Sequence, residues 1–292
     1  MKFQFNTSFK EKIASHIFLV SALASILFVA LICVFLFANG IPAILKIGIS
    51  DFLFGKEWAP TDEPAVYGIF PMILGSVYVT LGALAIGASI GLLSAIFLAR
   101  FCSDRMHKLL KPAVELLAGI PSVIYGFFGL VVIVPFVRQN FGGSGASILT
   151  ASILLGIMIL PTIISVSEAA LRAVPNSYYE GSLALGATHE RSVFFTVLPA
   201  ATSGIVAGFI LGFGRAIGET MAVILVAGNQ ARMPNGILGG IRTLTANIVL
   251  EMGYAADLHR EALIATGVVL FTFILIINLS LSLLNRRSEN AN

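Results

Sequence analysis

Between Ile69 and Ala99 the chain runs for 31 residues without a charged side chain, and five more apolar stretches of 22 to 30 residues accompany it. They are Ile17 to Ala38, Leu116 to Val137, Ala146 to Ser167, Pro199 to Gly228 and Ala262 to Asn285. A hydrocarbon core about 30 Å thick is crossed by about 20 apolar residues in a helix, so each stretch is long enough to span it. The longest has length to spare for tilt. The expected fold is all-α and integral to a membrane, with six transmembrane helices. Barrel strands are excluded, because they alternate apolar and polar residues over segments of about 10. An open sheet would leave backbone groups unpaired in lipid. Composition agrees: 57% of the 292 residues are hydrophobic, 11% are charged, and mean hydropathy is +0.95.

Lysine and arginine outside the spans divide unevenly. The segments on one side hold 11, from Lys2, Lys10 and Lys12 through Arg100, Arg105, Lys108, Lys111, Arg172 and Arg191 to Arg286 and Arg287, and the opposite segments hold 6. The positive-inside rule then places both termini, and the stretch Glu180 to Pro199, in the cytoplasm. The first stretch has 22 apolar residues against the roughly 7–15 of a signal-peptide core, so it reads as a retained helix. The domain organisation expected is a cytoplasmic segment at 1–15 and one membrane domain at 16–292, with a cytoplasmic loop at 168–198.

Covalent chemistry finds no support. Cys33 lies inside a span and Cys102 at a cytoplasmic end, so no disulfide framework forms. His16, His107, His189 and His259 are scattered over both sides, and no metal site is expected. A phosphate-cradling loop needs Gly-Lys followed by Ser or Thr, whereas Gly55-Lys56 is followed by Glu57. The chain is not expected to be an enzyme.

The segment VPNSYYEGSLALGATHERSVFFTVLP from Val174 to Pro199 divides into two short helices. Pro175 suits the first turn of one, where its missing N–H is no loss. Gly186 supplies the left-handed residue that ends it, Thr188 caps the next, and Pro199 suits the start of the fifth span. Glu180, then Gly186 six positions on, then Leu198-Pro199 resemble the EAA loop of the permease subunits of ABC importers. That resemblance implies that the two helices couple the membrane domain to a separate ATP-hydrolysing subunit. Gly181 and Ser182 stand where alanines are usual, and Thr196 where isoleucine is. The literal Glu168-Ala169-Ala170 lacks the glycine six positions on, which is Val174, and has no Leu-Pro at the required distance. The bland reading is an amphipathic connecting segment.

Arg215 and Glu219 interrupt the fifth stretch. Charge inside a bilayer costs about 2.5–3.5 kcal/mol on insertion scales and marks functional candidates. Four residues apart on one helix, the two are expected to pair. Gly204, Gly208 and Gly212 form a small-residue row of the kind that lets membrane helices approach, and the pair continues it toward the interior. A guanidinium offers fork-shaped donors to an oxyanion. A structural ion pair locking helices is the other reading, and the two are compatible.

Gly214-Arg215-Ala216-Ile217-Gly218-Glu219-Thr220 is similar to the fifth-helix motif of the phosphate-specific (Pst) permeases. Leu117-Ala118-Gly119-Ile120-Pro121-Ser122-Val123-Ile124-Tyr125-Gly126 is similar to their third-helix signature. Trp58-Ala59-Pro60 and Tyr67-Gly68-Ile69-Phe70-Pro71 resemble the C subunit more than the A subunit. The likeness spans roughly residues 39 to 285. It implies the six-helix architecture of type I ABC-importer permeases in a bacterial or archaeal cytoplasmic membrane, and import of inorganic phosphate. It also implies a second permease subunit of the A type as heterodimer partner, two ATP-binding subunits and an external phosphate-binding protein. Arg215 and Glu219 would belong to the substrate pathway; Glu180, Gly186, Leu198 and Pro199 would couple to the ATPase. No cofactor is expected in this chain, since ATP and Mg would be bound by the partner ATPase. Membrane lipids are expected partners and nucleic acid is not.

Two rivals stand: a permease for another oxyanion such as sulfate or molybdate, and an ion-driven secondary transporter in which the pair acts as a relay. Two external segments remain. Asn39 to Pro64 either contacts the binding protein or is a solvated hairpin, with Trp58 and Tyr67 readable as interfacial aromatics. Asn229 to Glu261 carries Ile241, Leu244, Ile248 and Met252 at helical spacing, which predicts a helix docked on its neighbours or covering the outer mouth. Pro121, Pro135 and Pro161 are candidate kinks.

Overall fold

The computed structural model describes residues 7–289, and the side chains of 11–280. Residues 1–6, with Lys2 and the beginning of the 1–15 segment, lie outside the described residues, as do the side chains of Lys10, Arg286 and Arg287. Among the described residues, five helices are long and apolar enough to cross a membrane, and a sharply bent pair makes a sixth span when taken as one.

The first helix, α1, covers Thr7–Ile47. Among its described side chains it packs through its final turns: a Cβ on Gly40 would stand 2.5 Å from Val268 Cγ2 of the last helix, α14 (Asp257–Glu289), so glycine permits that crossing. Phe37 meets Phe271 edge to face at a centroid distance of 5.9 Å. A short helix α2 (Ile49–Phe54) follows. A two-stranded hairpin, β1 (Trp58–Ala59) against β2 (Val66–Tyr67), sets Trp58 opposite Tyr67.

The centre of the bundle is the parallel pair α3 (Phe70–Ile96) and α7 (Ile148–Ala173). Glycines on α3 let the two backbones close: a Cβ on Gly87 would lie 2.6 Å from Ile159 Cγ1, and one on Gly91 2.8 Å from Ile163 Cγ2. Van der Waals contact of this kind, rather than hydrophobic expulsion, holds helices together in lipid. Leu154, Leu155, Met158, Ile159 and Ile163 are all buried, which makes α7 the core of the bundle. Pro161 lies inside α7. A π-turn, Phe97–Phe101, ends α3.

The third span differs from expectation. Leu116 to Gly119 belong to a separate helix, α4 (Asp104–Gly119), which has no buried residue and an apolar face on one side only. Ser103 caps it, its hydroxyl accepting from Met106 N at 3.5 Å. Pro121 ends the helical run, because it lacks an N–H and disfavours helical geometry at Ile120, whose ψ is 126°. The span proper is Ser122–Phe141, made of α5 (Ser122–Phe128), a π-turn (Gly129–Ile133) and α6 (Val134–Phe141). Pro135 opens α6, where helices accept it.

The fifth span differs too. After α7, two short helices, α8 (Asn176–Ala184) and α9 (His189–Ser192), lead through a π-turn (Val193–Val197) into α10 (Leu198–Ala200). The continuous part, His189–Ala200, meets α11 (Thr202–Gly218) at a bend of 69°. Pro199 therefore sits in the last turn before the bend and does not open the span. Beyond α11 the helix breaks and resumes as α12 (Met221–Val226).

Between α12 and α14 the chain forms α13 (Leu244–Glu251), with Leu244, Ala246 and Asn247 buried. Leu244, Ile248 and Met252 follow the expected helical stripe, but Ile241 does not. It lies in extended chain bridging Gly228, its N–H donating to Ala227 O at 2.9 Å. The docking itself is as expected, since Leu244 N donates to Ser76 Oγ of α3 at 3.0 Å in a buried contact.

Candidate translocation and coupling sites

The sequence reading of residues 174–199 places its turns well. Gly186 has φ of +86°, with Gly186 N donating to Leu183 O at 2.9 Å and Ala187 N to Ser182 O at 3.2 Å. These bonds satisfy the last carbonyls of α8 in the manner of a glycine C-cap. Thr188 caps α9, accepting from Arg191 N at 3.4 Å. Pro175 stands one position earlier than expected, as the residue before α8. The two helices are tied to one another by Tyr179 Oη and His189 Nδ1 at 2.7 Å, and by Ser192 Oγ donating to Ser182 Oγ at 3.0 Å. His189 also meets the Phe101 ring edge to face, with centroids 4.7 Å apart. The result is a rigid knob at the end of the bundle where α3 ends. Its own backbone N–H, then the Thr188 hydroxyl, hold the Glu190 carboxyl below the ordinary carboxylate range.

Glu180, Gly186 and Pro199 are exposed on this knob, and Leu198 is half-buried at its root. Leu185, next to Gly186, is 91% exposed, an apolar side chain presented at the tip. A Cβ on Gly186 would meet nothing within 4 Å, so only the backbone demands glycine there. Gly186→Val should therefore cost about 1–2 kcal/mol of local order through its left-handed conformation. If the knob couples to an ATPase, as its resemblance to the EAA loop implies, the expected consequence is weakened coupling in an assembled complex, read as substrate-stimulated hydrolysis. Unchanged stimulation would remove Gly186 from the coupling element.

At mid-span, Gly204, Gly208 and Gly212 of α11 lie against Ala170, Ser167 and Ile163 of α7, as a small-residue row should. Arg215, one turn further along, is half-buried and donates from Nη1 to Thr162 Oγ1 of α7 at 3.4 Å. The expected Arg215–Glu219 pair does not form among the described residues. The helix ends at Gly218, and Glu219 is extended at φ −69°, ψ 135°. Its carboxylate accepts instead from Thr220 N at 3.0 Å and Ala222 N at 3.1 Å. The reason is the helix break: an unpaired backbone N–H in lipid costs several kcal/mol, and Glu219 supplies the acceptor for two of them. Thr245 Oγ1 of α13 donates to Glu219 O at 2.9 Å, closing the break from the other side.

Two polar clusters escaped the sequence reading. At the Trp58 end, the buried Glu251 carboxylate receives Trp58 Nε1 at 2.8 Å, lies 2.9 Å from His259 Nε2, and pairs with Arg242. Arg242 also donates to Asn247 Oδ1 at 2.9 Å and Asn229 O at 3.1 Å. Trp58 is thus a core residue and not an interfacial one. At the opposite end, Glu168 gathers His107, Lys111 and Arg172. Apart from the Glu168–Arg172 pair four residues apart, these contacts leave no local signature, because Glu168 and His107 lie 61 positions apart and Glu251 and Trp58 193.

Apolar spans, one of them bent and broken, with a two-helix knob held at one end, define the fold of a type I ABC-importer permease. The chain belongs to the family of binding-protein-dependent transport system inner membrane components, whose model matches residues 87–290. It is 40% identical over 270 residues to the probable ABC transporter permease protein YqgH of Bacillus subtilis, covering 89% of this chain and 87% of that protein. To the phosphate transport system permease protein PstC of Mesorhizobium japonicum it is 34% identical over 267 residues, or 84% of this chain and 81% of that one. Among solved structures, the inward-facing MetNI methionine ABC transporter matches with a TM-score of 0.61 at 21% identity, over 75% of this chain and 95% of the other. At that identity the likeness is one of fold.

Proposed function

We propose that the protein is the permease subunit of an ATP-driven importer of inorganic phosphate, forming half of the translocation pathway. The observation that carries this reading is Arg215: a guanidinium half-buried in an apolar bundle, with Thr162 as its hydrogen-bond partner among the described residues. Freed from Glu219, it keeps most of its five donors for a passing anion, and a tetrahedral oxyanion suits that fork. Similarity to the phosphate transport system permease protein PstC of Mesorhizobium japonicum supports phosphate as the anion.

The pathway in this proposal runs beside Arg215, with Glu219 bordering it as the acceptor that caps the start of α12 after the helix break. The Glu180–Pro199 knob, carrying Glu180, Gly186, Leu198 and Pro199, faces the cytoplasm together with both termini, in a bacterial or archaeal cytoplasmic membrane. An A-type permease completes a heterodimer, two ATP-binding subunits bind ATP and Mg, and an external binding protein delivers phosphate. ATP-driven closure of those subunits shifts the knob, and the spans open outward. Hydrolysis restores the inward-facing state. A rigid, anchored knob is what such transmission needs, and the bonds among Tyr179, His189, Ser182 and Ser192 supply that rigidity.

Copurification with the partner subunits, followed by phosphate-stimulated ATP hydrolysis in liposomes, tests the assembly. Uptake of labelled phosphate against labelled sulfate tests the cargo. Sulfate uptake unaffected by phosphate would overturn the choice of anion, and a complex without an ATPase would overturn the importer.

A further inference from the structure

Glu168 opens the literal Glu-Ala-Ala that the loop spacing passes over, and the transport scheme makes no use of it. Its side chain is 4% exposed, near the end of α7. His107 Nε2 lies 2.7 Å from Oε1, Arg172 Nε donates to the same oxygen at 2.9 Å, and Lys111 Nζ stands 3.1 Å from Oε2 as an electrostatic contact. His107 and Lys111 are one turn apart on α4, so two attachments fix the rotation of that helix as well as its distance from α7. Apolar packing does less here. No α4 residue is buried, and a groove of about 390 Å³ remains between α4, α3 and α7, lined by Leu110, Val114 and Ile164 among others.

The hub sits at a junction. Toward one side α7 runs directly into α8 of the knob; toward the other α4 runs through Pro121 into α5, which packs on α12 beyond the Glu219 break. Arg172 Nη2 donates to Leu98 O at 2.8 Å and Arg100 Nη2 to Leu171 O at 2.6 Å, a reciprocal pair that staples the α3 π-turn to the same end of α7. A buried carboxylate is strongly destabilised once its partners leave, and salt does not screen a buried cluster effectively. The hub therefore persists only while α4 follows α7.

We propose that Glu168 is a positioning residue that makes α4 move with the root of the knob, so that displacement of α8 reaches α5 through a buried ion-pair hub. The inference rests on the transport reading above. It is tested in the assembled complex with Cys33 and Cys102 replaced by serine and spin labels at Leu109→Cys on α4 and Leu185→Cys beside Gly186. Both positions are exposed, at 73% and 91%. With the hub intact, the label separation keeps one narrow distribution without nucleotide and with ATP plus vanadate.

The His107→Gln, Lys111→Gln double variant cuts the tie from the α4 side and leaves Glu168 with Arg172. It should broaden that distribution, retain ATP hydrolysis and lower phosphate carried per ATP by about tenfold, a coupling loss at the upper end of those seen along linked networks. Glu168→Gln should act in the same direction, and Lys111→Arg, which keeps the charge, should behave as wild type. If the double variant does not assemble, Lys111→Gln alone is read the same way. An unchanged label distribution overturns the proposal, whether transport per ATP is unchanged or uptake and hydrolysis fall in proportion. Should the unsubstituted complex carry no phosphate, the cargo reading fails while the label distances still decide the hub.

Discussion

Arg215→Ala should lower phosphate uptake by about 10- to 100-fold, the loss of one charged hydrogen-bonding contact of about 1.5–3 kcal/mol, while the complex still assembles. The structure makes that separation of function from stability sharper than the sequence did. Had Arg215 been bonded to Glu219, alanine would have stranded a carboxylate within the membrane, and misassembly would have confounded any transport defect. Glu219 is instead satisfied by Thr220 N and Ala222 N, so truncating Arg215 leaves Thr162 Oγ1 as the one protein group that loses its arginine donor among the hydrogen bonds described. Arg215→Lys should fall between alanine and wild type, since an ammonium keeps the charge and loses the fork. The measurement is uptake of labelled phosphate normalised to copurified ATPase; uptake equal to wild type in the alanine variant would take Arg215 out of the pathway.

Glu251→Ala should be the most damaging substitution for stability, at about 3–5 kcal/mol, the cost of leaving a buried charge without its partner. Arg242 would remain with Asn247 and the Asn229 carbonyl but no carboxylate, while Trp58 Nε1 and His259 Nε2 would lose their acceptor. These four side chains come from the β1 hairpin, the extended chain before α13, α13 itself and α14. Their separation should loosen the whole Trp58 end of the bundle. Glu251→Gln keeps an acceptor and should lie between. Thermal unfolding of the purified complex in detergent checks the order wild type, glutamine, alanine; an alanine variant melting with wild type would show that the cluster contributes nothing net.

Hydropathy carried the number and approximate place of the spans, because the length of an uncharged run is a property of contiguous residues. It failed where a break needs no charge. Leu116 to Gly119 are as apolar as a span, yet they end an amphipathic helix, since the interruption is the conformational restriction imposed by Pro121. The fifth stretch was read as continuous because a bend at Ala201 and an unwound step at Glu219 leave no mark in hydropathy. The knob was legible residue by residue: Gly186 and Thr188 act through backbone chemistry within a few positions of themselves. The Arg215–Glu219 pairing was misread because spacing by four implies contact only while the helix lasts, and it stops at Gly218. The Glu168 and Glu251 clusters join residues 61 and 193 positions apart, a relation that only the fold creates.

In the proposed transport cycle the bend of 69° before α11 would act as a lever arm. A push on Leu185 acts well off the axis of α11, so it delivers torque to that helix as well as thrust. Turning α11 would swing the Arg215 guanidinium sideways while the Gly204, Gly208 and Gly212 row, which has no side chains of its own, turns against Ala170, Ser167 and Ile163 of α7. Such a crank needs no sliding of one helix past another, and the glycine row is then the line of contact about which the arginine turns.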